Sequence, residues 1–302
     1  MNKVKKFLYS QKAAPYVFIL PFVLTVILFW VFPIANGVLL SFQDVLKDKW
    51  VGMNNYKRLL SDTYFRKAVW NSFKYMVGTL VLLIPFPMLF ASMLNSKLMK
   101  AKGFFKSVYF IPALTSVVVV GTIFRLMFGE MDTALANQIL NFFGHSSIKW
   151  LKGEWTGYFA LLLVACWRWT GVNILYFLAG LQNISTDLYE AASIDGATKG
   201  RQFLSITIPL ISPVIFYNLV TQLVQAFQEF NGPFLVTKGG PNGATTLISM
   251  LIYNNAFLRH KMGMASAQAW ILFIIIFILT MITLKVSNGH VHYGNKEDGK
   301  IV

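Results

Sequence analysis

Six long apolar stretches separated by shorter polar segments organise the chain: residues 16–41, 68–94, 104–128, 157–182, 209–236 and 263–285. About 20 apolar residues carry an α-helix across the hydrocarbon of a bilayer, and each stretch is at least that long. The pattern predicts an all-α integral membrane protein with six transmembrane helices in a single domain over residues 1–302. Proline falls inside several of the stretches, at Pro21, Pro33, Pro85, Pro87, Pro112 and Pro213. Membrane helices accept proline where a neighbour resatisfies the freed carbonyl, and Pro85 with Pro87 predicts a kink in the second span. Thr245 to Phe257 is apolar but too short to cross, which predicts an interfacial or re-entrant helix after the GGPNG turn at 239–243. The tail over 287–302 is polar.

Composition agrees with a bilayer as the solvent. Of the 302 residues, 56% are hydrophobic and 13% charged, against about 25% charged in a soluble domain. The net charge of +15 does not point to nucleic acid. Basic residues come singly or in pairs at the ends of apolar segments, where they meet lipid headgroups. Cys166 is the only cysteine and excludes an internal disulfide. His145, His260, His290 and His292 are scattered, and no metal-ligand spacing occurs. Lys3, Lys5, Lys6 and Lys12 precede an apolar run too long for a signal peptide, so the first span is read as uncleaved. With Lys97, Lys100, Lys102 and Lys106 they favour cytoplasmic termini, while six basic residues in the loop at 42–67 argue the other way.

The polar segment 183–208 is built differently from a simple connecting turn. Asp187 can cap a helix with Glu190 three residues on. Leu188, Ala191, Ala192 and Asp195 then share one face. Gly196 supplies a left-handed stop, and a second helix can run from Thr198 to Ile206 before Pro209 opens the next span. The product is a helix–turn–helix with small residues that let another surface approach closely.

These residues resemble a known motif. Glu190-Ala191-Ala192, three residues, Gly196, nine residues and Ile206-Thr207-Ile208-Pro209 match the EAA loop of binding-protein-dependent ABC importer permeases, with Ile208 where that family usually has Leu. The stretches KAAPYVFILPFVLTVILFWVFPIANGVLLSF at 12–42, VGMNNYKRLL at 51–60, NILYFLAGLQNISTDLYEAASIDGA at 173–197 and FNGPFLVTKGGPNGATTLISMLIYNNAF at 230–257 are similar to the carbohydrate-uptake type, in particular the larger-partner permeases of maltose and glycerol-phosphate systems. The resemblance implies a five-helix permease core plus an extra N-terminal span in a bacterial cell membrane, with both termini cytoplasmic. It implies a second homologous permease, two cytoplasmic ATPase subunits, an extracellular or periplasmic solute-binding protein and a mono- or oligosaccharide substrate. Asp187, Glu190, Ala191, Ala192, Asp195, Gly196, Ile206 and Pro209 would form the ATPase-coupling loop. ATP and Mg would sit at the partner subunits. This chain has no GxxxxGK[ST] motif and is expected to bind no cofactor and to be no enzyme itself.

Polar residues inside the spans are the candidates for a substrate path. An Arg at the bilayer centre costs about 2.5–3.5 kcal/mol and needs a partner or water. One reading has Arg168, Trp169, Gln225, Gln228, Glu229 and Asn231 lining a sugar path. A competing one has Arg168 and Glu229 pairing with each other, or with the second permease, to fix packing. Lys74 and Arg125, near span ends, can snorkel. If Arg125 and Arg168 both faced the path, an acidic or phosphorylated sugar would become attractive. The chain could also be an amino-acid or peptide permease, or an energy-independent carrier. The carrier leaves the Glu190–Pro209 segment unexplained, and a membrane enzyme lacks any catalytic set.

Overall fold

The computed structural model describes residue 10, residues 13–96 and residues 99–287. The lysines at 3, 5, 6, 12 and 97 and the polar tail beyond Ser287 lie outside the described residues. Four helices are long and apolar enough to cross a membrane: Ala14–Ser41, Thr63–Asn95, Glu154–Gln182 and Met262–Ser287. Two bent pairs, Lys102–Leu114 with Val117–Met127 and Lys199–Leu210 with Ser212–Thr237, bring the total to six if each pair is one span. A helix is the natural outcome for such sequences, because lipid offers no partner to an unpaired amide.

Two of the expected spans are bent. Residues 104–128 do not form one rod: the helix turns by 95° at Thr115 and Ser116, which adopt extended backbone with ψ of 140° and 130°. The stretch at 209–236 begins a new helix only at Ser212, after a 66° turn at Ile211, so Pro209 belongs to the preceding helix. Its α-helix then ends at Gln228, Glu229 is extended with ψ of 124°, and a π-helical turn, Pro233–Thr237, follows. In the second span the helix is interrupted at Ile84, immediately before Pro85, as the proline pair predicts. The short apolar helix after the GGPNG turn is Ile248–Leu258, three residues later in its start than expected.

The described residues fall into two compact units: those up to Ser61 with Ile252–Ile271, and those from Asp62 to Leu251 with the residues from Leu272 on. In the larger unit, Ala91, Leu94, Ile174, Phe177, Leu178, Leu181 and Ile211 form a buried cluster. A side chain at Gly171 would overlap the Tyr109 carbonyl, so glycine there permits close backbone approach of two helices. Asn71 donates to the carbonyls of Gly243 (2.8 Å) and Thr246 (3.1 Å), tying the 239–247 segment to the second span. In the smaller unit, a two-residue antiparallel pairing, Gln43–Asp44 with Lys49–Trp50, leads into the helix Asn54–Ser61.

Candidate functional site

Two places concentrate the predicted residues. The first is the helix–turn–helix at 183–210. Its leading helix is Thr186–Ile194, and Ser185 caps it, with the hydroxyl accepting from the Asp187 amide at 3.2 Å. This corrects the expected cap: Asp187 lies in the first turn, because the chain is still extended at Ser185 (ψ 136°) and helical after it. Gly196 has φ of +77°. The Gly196 amide donates to the Ser193 carbonyl (3.1 Å) and the Ala197 amide to Ala192 (2.9 Å). That is a Schellman turn, which glycine enters without the Cβ penalty.

Thr198 caps the second helix by accepting from the Arg201 amide at 3.4 Å. The two helices are bolted together by side chains that carry no signal in the sequence pattern. Gln202 donates to Ser193 Oγ (2.8 Å) and to the Ala197 carbonyl (3.1 Å), and Tyr189 bonds Thr207 at 2.8 Å. Glu190, Ala191, Asp195 and Gly196 are exposed, while Ala192, Ile206 and Pro209 are half-buried. Ile194, which sequence reasoning does not single out, is 87% exposed, more than the exposed apolar side chains of Leu188 and Leu204 in the same segment.

The second place is a cavity of about 240 Å³ lined by Tyr75, Arg168, Trp169, Glu229 and Asn231, with apolar walls including Val117 and Val236. A small adjoining recess adds Gln222 and Gln225 and shares Tyr75, Trp169 and Glu229. Five of the six candidate path residues therefore come together. Gln228 does not: it is the last residue of its α-helix, is exposed and lines neither space. Tyr75 is an addition, since nothing in the sequence separates it from the many other aromatics of the spans.

Direct pairing of Arg168 with Glu229 is not found. No ion pair joins them among the described residues. Arg168 instead donates to the Thr115 carbonyl at 3.3 Å, and its guanidinium lies 5.5 Å from the centre of the Trp169 ring. The Glu229 carboxylate accepts from the Gly232 amide at 2.8 Å, and its backbone carbonyl accepts from Ser249 Oγ. The breaks at Thr115–Ser116 and at Glu229 are thus each met by a side chain from elsewhere in the fold. Arg125 is exposed and outside this cavity. The Lys74 ammonium lies 5.8 Å from the ring centres of Trp155 and Tyr158. A larger cavity of about 520 Å³ is almost wholly apolar and holds none of the candidates.

Residues 7–292 match the protein family described as binding-protein-dependent transport system inner membrane component. The chain belongs to that family. Over 285 residues it is 45% identical to the arabinooligosaccharides transport system permease protein AraP of Bacillus subtilis, covering 93% of this chain and 90% of that protein. Over 291 residues it is 33% identical to the trehalose/maltose transport system permease protein MalF of Thermococcus litoralis, covering 94% and 97%. Among solved structures, a chain of a bacterial alginate ABC transporter in complex with its alginate-pentasaccharide-bound periplasmic protein superposes with a TM-score of 0.81 at 22% identity, over 91% of this chain and 94% of that one. That likeness concerns the fold alone. For an inner-membrane transport component, a cavity bearing Arg168, Glu229 and Asn231 within the membrane helices and an exposed loop are the two features that need a role.

Proposed function

We propose that this protein is the permease subunit of an ATP-driven importer for neutral oligosaccharides, forming half of the translocation path. The observation that carries the reading is the interruption of the fifth apolar stretch at Glu229, opening on the cavity that Arg168, Trp169 and Asn231 also line. Non-helical backbone at membrane depth is tolerated where it borders a cavity, and discontinuous helices form the substrate sites of many transporters. Trp169 and Tyr75 offer ring faces, Arg168 donates, and Glu229 and Asn231 accept. This is a set suited to a polyhydroxylated ring.

A neutral sugar fits better than an acidic or phosphorylated one. Glu229 faces the same space as Arg168, and Arg125, the second cation an acidic sugar would call for, does not. The names of the AraP and MalF relatives support an oligosaccharide substrate.

Each bent helix pair counts as one crossing, giving six crossings with both termini in the cytoplasm and one permease domain. The loop at 183–208 then faces the cytoplasm. Asp187, Glu190, Ala191, Ala192, Asp195, Gly196, Ile206 and Pro209 belong to its coupling surface, seated on ATPase subunits that bind ATP and Mg. Motion of those subunits would pass to the spans through a loop made stiff by its Schellman turn and by Gln202 and Tyr189, a rigid-body coupling. A second permease and a solute-binding protein complete the assembly.

Uptake of labelled arabinooligosaccharide by cells expressing the whole importer tests this. Glu190→Lys and Gly196→Pro are expected to abolish uptake at normal membrane levels. The first reverses an exposed charge, and the second places proline where φ is +77°. Normal uptake by both, or purification of the chain without any ATPase through several mild detergents, would favour a stand-alone carrier.

A further inference from the structure

We propose that the polar ends of two crossing helices in the smaller unit form a binding surface for anionic phospholipid headgroups. The helix Ala14–Ser41 has 28 residues, about 42 Å at 1.5 Å per residue, against a hydrocarbon core of about 30 Å. Its last turn therefore lies at headgroup depth. The chain that follows does not leave this level. Asn55 donates to the carbonyls of Ser41 (2.9 Å) and Gln43 (3.0 Å), and Tyr56 donates to Ser41 Oγ at 2.8 Å. Phe42 stacks on Trp50 with ring centres 5.7 Å apart. The strand pair and the helix Asn54–Ser61 are thus pinned to the end of the first crossing helix.

The start of another crossing helix is held at the same level. Gly263, the second residue of Met262–Ser287, lies so close to the carbonyls of Gln43 and Leu40 that a Cβ there would overlap Gln43. That contact brings Arg259 and Lys261, just upstream, to the depth of Lys47, Lys49, Lys57 and Arg58. All six cations are exposed, and none forms an ion pair among the described residues. The described part of this unit has only Asp44 and Asp48 as acids, so six cations against two anions leave an excess of four. Between the cations stand exposed apolar side chains: Leu46 (62%), Trp50 (59%) and Leu258 (63%).

Basic residues alternating with Trp and Leu at the end of a span match the membrane interface, with stems and rings toward acyl chains and charges toward phosphates. A docking surface for an acidic protein would be depleted of lysine at its centre. A lipid anchor would also matter mechanically, since the most apolar window of Ala14–Ser41 has no buried residue and, within the described residues, contacts at its end hold it to the rest of the unit.

The test is retention of phosphatidylglycerol by the intact transporter complex, extracted from vesicles of phosphatidylcholine with phosphatidylglycerol and measured by native mass spectrometry. A cation near an anionic surface is worth about fivefold in affinity. The variant K47Q/K49Q/K57Q/R58Q is expected to lower retained phosphatidylglycerol at least about tenfold, leaving phosphatidylcholine unchanged. The equal-charge control K106Q/R125Q/K149Q/K285Q, whose cations are scattered over separate span ends, is expected to lower it several-fold less than the variant. If the variant does not accumulate, a salt titration of the wild-type complex replaces it, and retention is expected to fall as salt screens the headgroups. Equal losses in variant and control, or salt-independent retention, overturn the proposal. Unchanged retention with weakened capture of the solute-binding protein overturns it in favour of a protein-docking surface.

Discussion

Pro87 has no amide to give the Leu83 carbonyl one turn earlier, and Asn173 supplies the missing donor. Its Nδ2 donates to Leu83 O at 3.2 Å, and its Oδ1 accepts from Gln222 Nε2 at 3.1 Å. Asn173 and Gln222 are 1% and 4% exposed, so no solvent can take over. Asn173→Leu keeps volume but strands two polar groups, the carbonyl and the amide of Gln222. Interhelical hydrogen bonds in membranes average about 0.6 kcal/mol and reach about 1.7, while a buried group left unpaired costs about 1–3 kcal/mol. The expected loss is about 2 kcal/mol, roughly a thirtyfold rise in the unfolding constant.

Pro87→Ala restores an amide that can serve Leu83 within its own helix. In that background Asn173→Leu strands only Gln222, and its cost is expected to fall to about 1 kcal/mol. Reversible unfolding of the four proteins in mixed micelles of rising dodecyl sulfate fraction gives the coupling, expected near about 1 kcal/mol. Additivity within about 0.3 kcal/mol, the ordinary result for independent sites, would refute the reasoning that one side chain repairs the proline.

Two further outcomes follow from named contacts. Ser185→Ala removes a helix cap worth about 0.5–2 kcal/mol and is expected to speed amide exchange across Thr186–Ile194 by about two- to thirtyfold. Asp187→Ala should leave those rates within about twofold, and the opposite ranking would reinstate Asp187 as the cap. Asn71→Leu releases the carbonyls of Gly243 and Thr246 at about 1–3 kcal/mol. Limited proteolysis is expected to cut faster near residues 239–243 with other sites unaffected, and an unchanged digest would assign the holding of that turn to other contacts.

The membrane helices are readable from apolar length because lipid leaves the backbone few choices besides a helix. The stop at Gly196 is legible for an equally local reason, since one residue type enters φ of +77° cheaply. The cap is not: Ser185 and Asp187 both qualify chemically, and where the extended chain ends decides between them. The place of Gln228 outside the cavity is not legible either, because nothing in the sequence marks it as the last residue of its helix.

The breaks at Thr115–Ser116 and Glu229 are invisible in the sequence for a different reason. Neither carries glycine, and proline near them does not sit at the turn itself. Each survives because a distant donor meets an exposed carbonyl, Arg168 at Thr115 across 53 residues and Ser249 at Glu229 across 20. A window of hydropathy has no access to such partners. The polar residues give the indirect sign, because Arg168 and Glu229 are too costly in hydrocarbon to stand there without water, a partner or a cavity. In this fold the cost is met at one place. Arg168 satisfies the first break, Glu229 is the second, and both line the same 240 Å³ space. Cavity, breaks and charges are therefore one feature: remove the charges and the irregular backbone loses its partners, straighten the helices and the charges lose their space.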